Sequence, residues 1–305
     1  MHDQDSASTS RPPEGSAQLE GAELSASEAS LLQRVVALPW TAHNIRLSEH
    51  VQTLPGRPEF IGSDGRLAIA EQICRGIFGS DWRGLRIADL GCLEGGYSLA
   101  FALGGATVLG VEGRSINFQK CKLIEGHFAL PNLRFVQDDV KNFTPNNYGR
   151  FDVVLVCGLL YHLDDPVAWL HQIAPCVKTL LFVDTHYAPE SDATAAGLEP
   201  NYKLSELIKR THQGFAYEGR WFREFSDDAP DTAIEESYWA AVSNLQSLWL
   251  THRSLIGCLY RCGFAVVGER FDFLSSDELP AFLRENSRSC FFALKPELSS
   301  GRDPG

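Results

Sequence analysis

The sequence predicts an α/β protein built on a doubly wound sheet, and three observations predict it. Arg86 to Arg114, RIADLGCLEGGYSLAFALGGATVLGVEGR, reads as strand, glycine turn, helix, strand and acid. Phe151 to Val156 is an almost wholly apolar run of the kind that a central parallel strand buries on both faces. Helical and strand patterns then keep alternating as far as Val183.

Within the first unit, the apolar Ile87-Ala88 ends in Asp89 and passes into the turn Gly91-Cys92-Leu93-Glu94-Gly95-Gly96. Glycines suit that turn because a ligand lying on the backbone leaves no room for a Cβ. Tyr97 to Leu103 repeats apolar residues at helical spacing, Gly104-Gly105 ends the helix, and Thr107 to Val111 is a β-branched strand. Glu112 closes the strand 23 residues after Asp89, where a carboxylate can accept both hydroxyls of a ribose. A dinucleotide site usually reads GxGxxG with a pyrophosphate at the helix N-terminus. Here the pattern is DxGxxxGG, and Glu94 inside the turn would repel a pyrophosphate.

These residues resemble the first motif of the class I S-adenosylmethionine-dependent methyltransferases, whose turn holds a zwitterionic amino-acid tail. A second resemblance to that family is LLYHLDDP, Leu159 to Pro166. The likeness spans residues 64–295 and implies a seven-stranded sheet of order 3-2-1-4-5-7-6, last strand antiparallel, with helices on both faces and an inserted lid region. It implies S-adenosyl-L-methionine as cofactor. It assigns Asp89, Gly91 and Gly95 to the methionine tail and its turn, with Cys92 and Tyr97 beside them. Glu112 falls to the ribose, Asp139 and Val140 to adenine, and Cys157 and Leu159 to the flanks of the sulfonium. Glu94 and Gly96 depart from the commoner GxG form, which leaves the turn's contacts with the tail open.

At 305 residues the chain can bury a large core, as one domain with insertions or as two domains. The net charge of −12 argues against a broad phosphate-binding face, although −5 of it lies in the first 30 residues. Eight cysteines are scattered without a CxxC pair or zinc-ligand spacing, as expected of buried thiols in a reducing compartment. Residues 1–30 lack a signal-peptide apolar run and no stretch reaches membrane-spanning length, so a cytoplasmic protein, monomer or homodimer, is expected.

Taken in order, residues 1–27 lack periodicity and read as a disordered tail, and residues 28–63 as an N-terminal arm or lid. The arm contains a helix, Ala29 to Leu38, stopped by Pro39, then a hairpin or extended stretch from Trp40 to Gly56. Residues 64–187 form the cofactor-binding half. Ser63 caps a helix from Asp64 to Phe78, Ser115 to Phe128 is a helix, Leu133 to Gln137 a strand, Pro166 to Cys176 a helix and Thr179 to Val183 a strand. Residues 188–250 are the acceptor-binding insertion, with helices expected over Tyr202 to Arg210 and Ala233 to Trp249 and a hairpin over Phe215 to Phe225. Residues 251–295 supply a helix from Thr251 to Cys262 and strands over Phe264 to Phe273 and Ser289 to Leu294, before a frayed tail, 296–305.

Open α/β sheets bind ligands beyond the carboxyl ends of their strands, so Cys157 to His162 should face the reacting methyl group. His162 is either a general base or a loop-holding residue. Asp184 and His186, at the end of the fifth strand, share that rim and complete an acid-base or acceptor-binding cluster. Their spacing is not a recognised ligand set, and no metal is expected there. Trp40 and His43 either pack as a surface arm or form a lid. Tyr161, Tyr217, Trp221, Glu235 and Trp239 complete the acceptor-side set.

A sulfonium methyl moves by in-line displacement, so such a protein chiefly aligns an oxygen or nitrogen nucleophile and excludes water. The aromatic insertion and acidic balance favour a small-molecule acceptor, a specialised metabolite or sugar, over nucleic acid. Two rivals remain. LLYHLDDP is also similar to the enzyme that completes a wobble-uridine modification in tRNA with a carboxylated cofactor, and a non-catalytic binder of the nucleoside would share the first motif.

Overall fold

Strands form where the apolar runs lie: β1 (Arg86–Leu90), β2 (Thr107–Glu112), β3 (Leu133–Gln137), β4 (Phe151–Cys157) and β5 (Val177–His186). They continue with β6 (Ile208–His212), β7 (Phe215–Arg223), β8 (Gln246–Leu250), β9 (Val266–Arg270) and β10 (Arg288–Leu294). The helices are α1 (Ala26–Val36), α2 (Gly65–Phe78), α3 (Gly96–Leu103), α4 (Ser115–Phe128), α5 (Pro145–Tyr148), α6 (Pro166–Ile173), α7 (Asp192–Gly197), α8 (Asp231–Glu236) and α9 (His252–Arg261). The computed structural model describes residues 24–197, 203–270 and 288–296. Most of the expected tails, 1–27 and 296–305, lie outside these residues, but Ser25 caps α1 through a capping box with Glu28, so ordered helix begins before residue 28.

The main sheet has seven strands in the order β3-β2-β1-β4-β5-β10-β9, which is the expected topology. Strands β1 to β5 pair in parallel, and β10 runs antiparallel to both β5 and β9. Alternate side chains feed two cores. Ile87, Val153, Leu155, Leu180 and Phe182 meet α1 to α4 on one face. Ala88, Leu90, Val154, Val156, Leu181 and Val183 meet α6 and α9 on the other.

The glycine turn is required by geometry. Gly95 holds φ +78°, and a Cβ there would lie 2.7 Å from Phe135 Cζ. The cap of α2 is Asp64 rather than Ser63: its carboxylate accepts from the N–H groups of Arg66 and Leu67 at 2.9 and 3.1 Å.

The insertion departs from the helices expected of it. Residues 208–212 form β6, because Gln213 and Gly214, at φ +50° and +81°, make a two-residue turn that folds the chain back onto β7. Of the second expected helix, Ala233 to Trp249, only residues 233–236 are helical, as the end of α8 (Asp231–Glu236). Its apolar end, Leu248-Trp249-Leu250, is buried on both strand faces and pairs with β7 as β8, completing a three-stranded sheet β6-β7-β8. Helical spacing was therefore misleading where every residue is buried. Among the described residues, no helix is long and apolar enough to cross a membrane.

Candidate active site

A cavity of about 370 Å³ opens beyond the carboxyl ends of β1, β2, β4 and β5, within the ~300–1,000 Å³ of small-molecule sites. Its wall includes nine of the ten residues assigned to the cofactor: Asp89, Gly91, Cys92, Tyr97, Glu112, Asp139, Val140, Cys157 and Leu159. Gly95 is outside the wall, because its role is to let α3 approach Phe135.

The two acids are held differently. Asp89 is buried and accepts from Ser98 Oγ at 2.7 Å; burial pushes its carboxyl up to about 6, against that hydrogen bond. Glu112 accepts from the backbone N–H groups of Leu93 and Arg114 at 2.9 and 2.8 Å, and burial raises it to about 7. Asp139 caps the short turn Val140–Asn142 by accepting from Lys141 N at 2.9 Å. Asp138 is occupied by Tyr148 and Asn142 and acts locally.

Glu94, which departs from the commoner motif, is an anchor. It is fully buried and ion-paired to Lys120 Nζ at 2.9 Å. Its carboxylate also accepts from the N–H groups of Thr41, Ala42 and His43 at 2.7, 3.1 and 2.7 Å. The N-terminal arm is thereby fixed to the glycine turn. His43 accepts from Gly96 N at 3.0 Å through Nδ1 and stacks on Tyr97, and burial lowers its pKa, as a neutral acceptor ring requires. Replacing Lys120 by methionine strands a buried carboxylate, so a loss of about 3–5 kcal/mol is expected, visible as a large fall in Tm by calorimetry. An unchanged Tm would remove Glu94 from this role.

The insertion roofs the same cavity. The Arg114 guanidinium donates to the carbonyls of Ile234, Ala240 and Ala241 at 2.6, 3.0 and 3.3 Å, and Asn117 Nδ2 donates to Tyr238 O at 3.1 Å. Trp239 Nε1 donates to Thr41 Oγ1 at 3.1 Å, so arm and insertion meet over the opening. His43 and Trp239 line the cavity.

On the acceptor side, His162 Nδ1 lies 2.8 Å from Glu224 Oε1. Glu224, at the end of β7, is buried and also accepts from Ser247 Oγ at 2.7 Å, while Asn244 Nδ2 donates to His162 O at 3.0 Å. An ionised carboxylate only accepts, so this pairing suits the tautomer that carries its proton on Nδ1, on a residue of the cavity wall. Tyr161 lines the cavity and packs against the His162 ring at 4.2 Å.

Several expected acceptor or catalytic residues lie outside the wall or are engaged by other side chains. His186 is buried against Trp249, with ring centroids 4.7 Å apart, and outside the wall. Asp184 lines the wall, but Arg288 engages both its oxygens and Arg66 lies 3.8 Å away. Burial opposes its charge, yet the guanidiniums hold its carboxyl below the usual range, which suits an anchor for arginines rather than a base. Trp40 is buried in the first core and donates to Val35 O at 3.0 Å, so it packs. Tyr217 and Trp221 belong to the second core, outside the wall. Glu235 lies in α8 with its side chain outside the described set.

Sequence reasoning missed Glu224, Arg66, Arg288, Arg114 and Asn117. Arg66 and Arg288, both in the wall, are guanidiniums that can hold a carboxylate. The one local signal was for Arg66, which follows the Asp64 cap.

Comparison with known proteins adds to this geometry. Residues 87–179 match a family model described as a methyltransferase domain. A tRNA U34 carboxymethyltransferase from Campylobacter fetus is 28% identical over 109 residues, covering 35% of this chain and 38% of that protein. A ubiquinone biosynthesis O-methyltransferase from Albidiferax ferrireducens is 29% identical over 134 residues, 43% of this chain and 52% of that protein. The chain thus spans less than two thirds of either relative. The N-terminal domain of EvdMO1, solved in the presence of SAH and D-fucose, superposes with a TM-score of 0.63 at 23% identity, covering 90% of this chain and 100% of that one. Residues 87–179 thus match a methyltransferase domain, and the sheet order with the superposition shows that the chain has the Rossmann-like fold of class I S-adenosylmethionine-dependent methyltransferases.

Proposed function

We propose that the protein moves the methyl group of S-adenosylmethionine to a hydroxyl of a small polar acceptor of the sugar type. The observation that carries this reading is His162, in the wall of a cavity roofed by the insertion, held 2.8 Å from the buried carboxylate of Glu224. The cofactor, when bound, supplies an electrophilic sulfonium methyl. An alcohol oxygen is a poor nucleophile until it loses its proton, so a base beside it is the group such a reaction needs. In this reading His162 takes that proton and Glu224 keeps the ring oriented. Glu112 receives the ribose hydroxyls, Asp139 and Val140 meet the adenine edge, and the roof excludes water. The O-methyltransferase relatives and the D-fucose in the EvdMO1 structure support an oxygen acceptor of this class. The acidic balance of the chain, −12, weighs against an RNA acceptor.

The test is direct. Purified protein with S-adenosylmethionine should produce S-adenosylhomocysteine when given a panel of free and nucleotide-linked deoxysugars, with the new O-methyl group located by NMR. Turnover on bulk tRNA and on no small molecule would overturn the reading.

A further inference from the structure

Away from the cofactor cavity, four metal-ligating side chains converge where α6, α9 and the β6-β7 hairpin meet. His171 lies in the last turn of α6. Cys258 and Cys262 lie one turn apart on α9 and its C-cap. His212 ends β6 and stacks on His171, with ring centroids 4.8 Å apart. None of the four lines the cavity.

Two independent observations point to a ligand. The sulfurs of Cys258 and Cys262 and a ring nitrogen of His171 all lie within 4.8 Å of one another. The Nε2 atoms of both His171 and His212 are buried with no hydrogen-bond partner among the described residues. A buried imidazole nitrogen is rarely left so, because it has given up water for nothing. Thiols alone would pack as small apolar groups, but thiols beside two unsatisfied imidazoles form a donor set.

We propose that Cys258, Cys262 and His171 bind a zinc ion, with His212 beside them as a fourth donor. Two thiolates and imidazole select a soft or borderline ion over magnesium or calcium. With Zn–S near 2.3 Å and Zn–N near 2.0 Å, tetrahedral donors sit about 3.5–3.8 Å apart, so no pair of the three need close by more than about 1 Å, within the reach of side-chain rotation. Binding releases the thiol protons. The ion would clip the inserted sheet to helices α6 and α9 and take no part in methyl transfer.

The full chain, tag-free, reduced and stripped with a chelator, is titrated with Co²⁺ alone and then with Zn²⁺. One equivalent of Co²⁺ should give thiolate-to-cobalt charge-transfer and visible ligand-field absorption, erased by Zn²⁺, and Zn²⁺ should raise the Tm. Both signals should vanish in Cys258→Ser and Cys262→Ser, weaken in His171→Gln, and persist in Cys74→Ala. Circular dichroism confirms that each variant is folded. A folded wild-type protein without a thiolate–cobalt band, or a band that survives in Cys262→Ser, would overturn the site.

Discussion

Replacing His162 with alanine lowers kcat by about 10²–10⁴-fold, the range associated with loss of a positioned general base, and leaves affinity for S-adenosylhomocysteine little changed. The split follows from the geometry. In the proposed reading His162 serves the acceptor, whereas the residues assigned to the cofactor, Asp89, Glu112 and Asp139, lie at the ends of β1 to β3. Glu224→Gln should give the same pattern, because an amide can donate to Nδ1 and hold the wrong tautomer. Single-turnover kinetics beside calorimetric binding separates the two quantities. Full kcat in both variants would return His162 to a loop-holding role and leave the transfer to alignment alone.

Replacing Glu112 with alanine weakens binding of S-adenosylmethionine by at least about 10²-fold, since two hydrogen bonds to a charged group are lost at about 1.5–3 kcal/mol each. A pH signature accompanies it. Burial raises Glu112 to about 7, and ribose hydroxyls favour its ionised form, so binding releases a proton and tightens as pH rises through about 7. Asp89, near 6, titrates about one unit lower, and the Glu112→Gln control separates its contribution. Calorimetric titrations from pH 6 to 8 should show this slope in the wild type and lose it in Glu112→Gln. The apo protein responds in the opposite sense. With a folded value of about 7 against an ordinary 4.5, the folded state holds the proton more tightly. That stabilisation is complete below 4.5 and is lost as pH rises to about 7.

The cofactor half was legible because its signals are local. A strand, a turn that only glycine satisfies and a following helix are contiguous in the chain, and strand ends place Asp89 and Glu112 without any distant contact. The insertion was not legible in the same way. Its strands β6 and β8 take their partners from β7, and β8, buried on both faces, carries no period by which to recognise it.

Glu94 shows the limit within the motif itself. In sequence it is an acid in a ligand-binding turn, and its function as the anchor of the arm exists only once Lys120 and residues 41–43 are folded around it. The sequence by itself determined the sheet order and the gathering of Asp89, Glu112 and Asp139 around one cavity at the strand ends, since these follow from backbone geometry repeated strand by strand. Tertiary structure alone decided that Glu224 holds His162, that Asp184 belongs to Arg66 and Arg288, and that His171 meets Cys258 and Cys262. Each of those pairs joins elements far apart in the chain, and packing rather than spacing brings their side chains together.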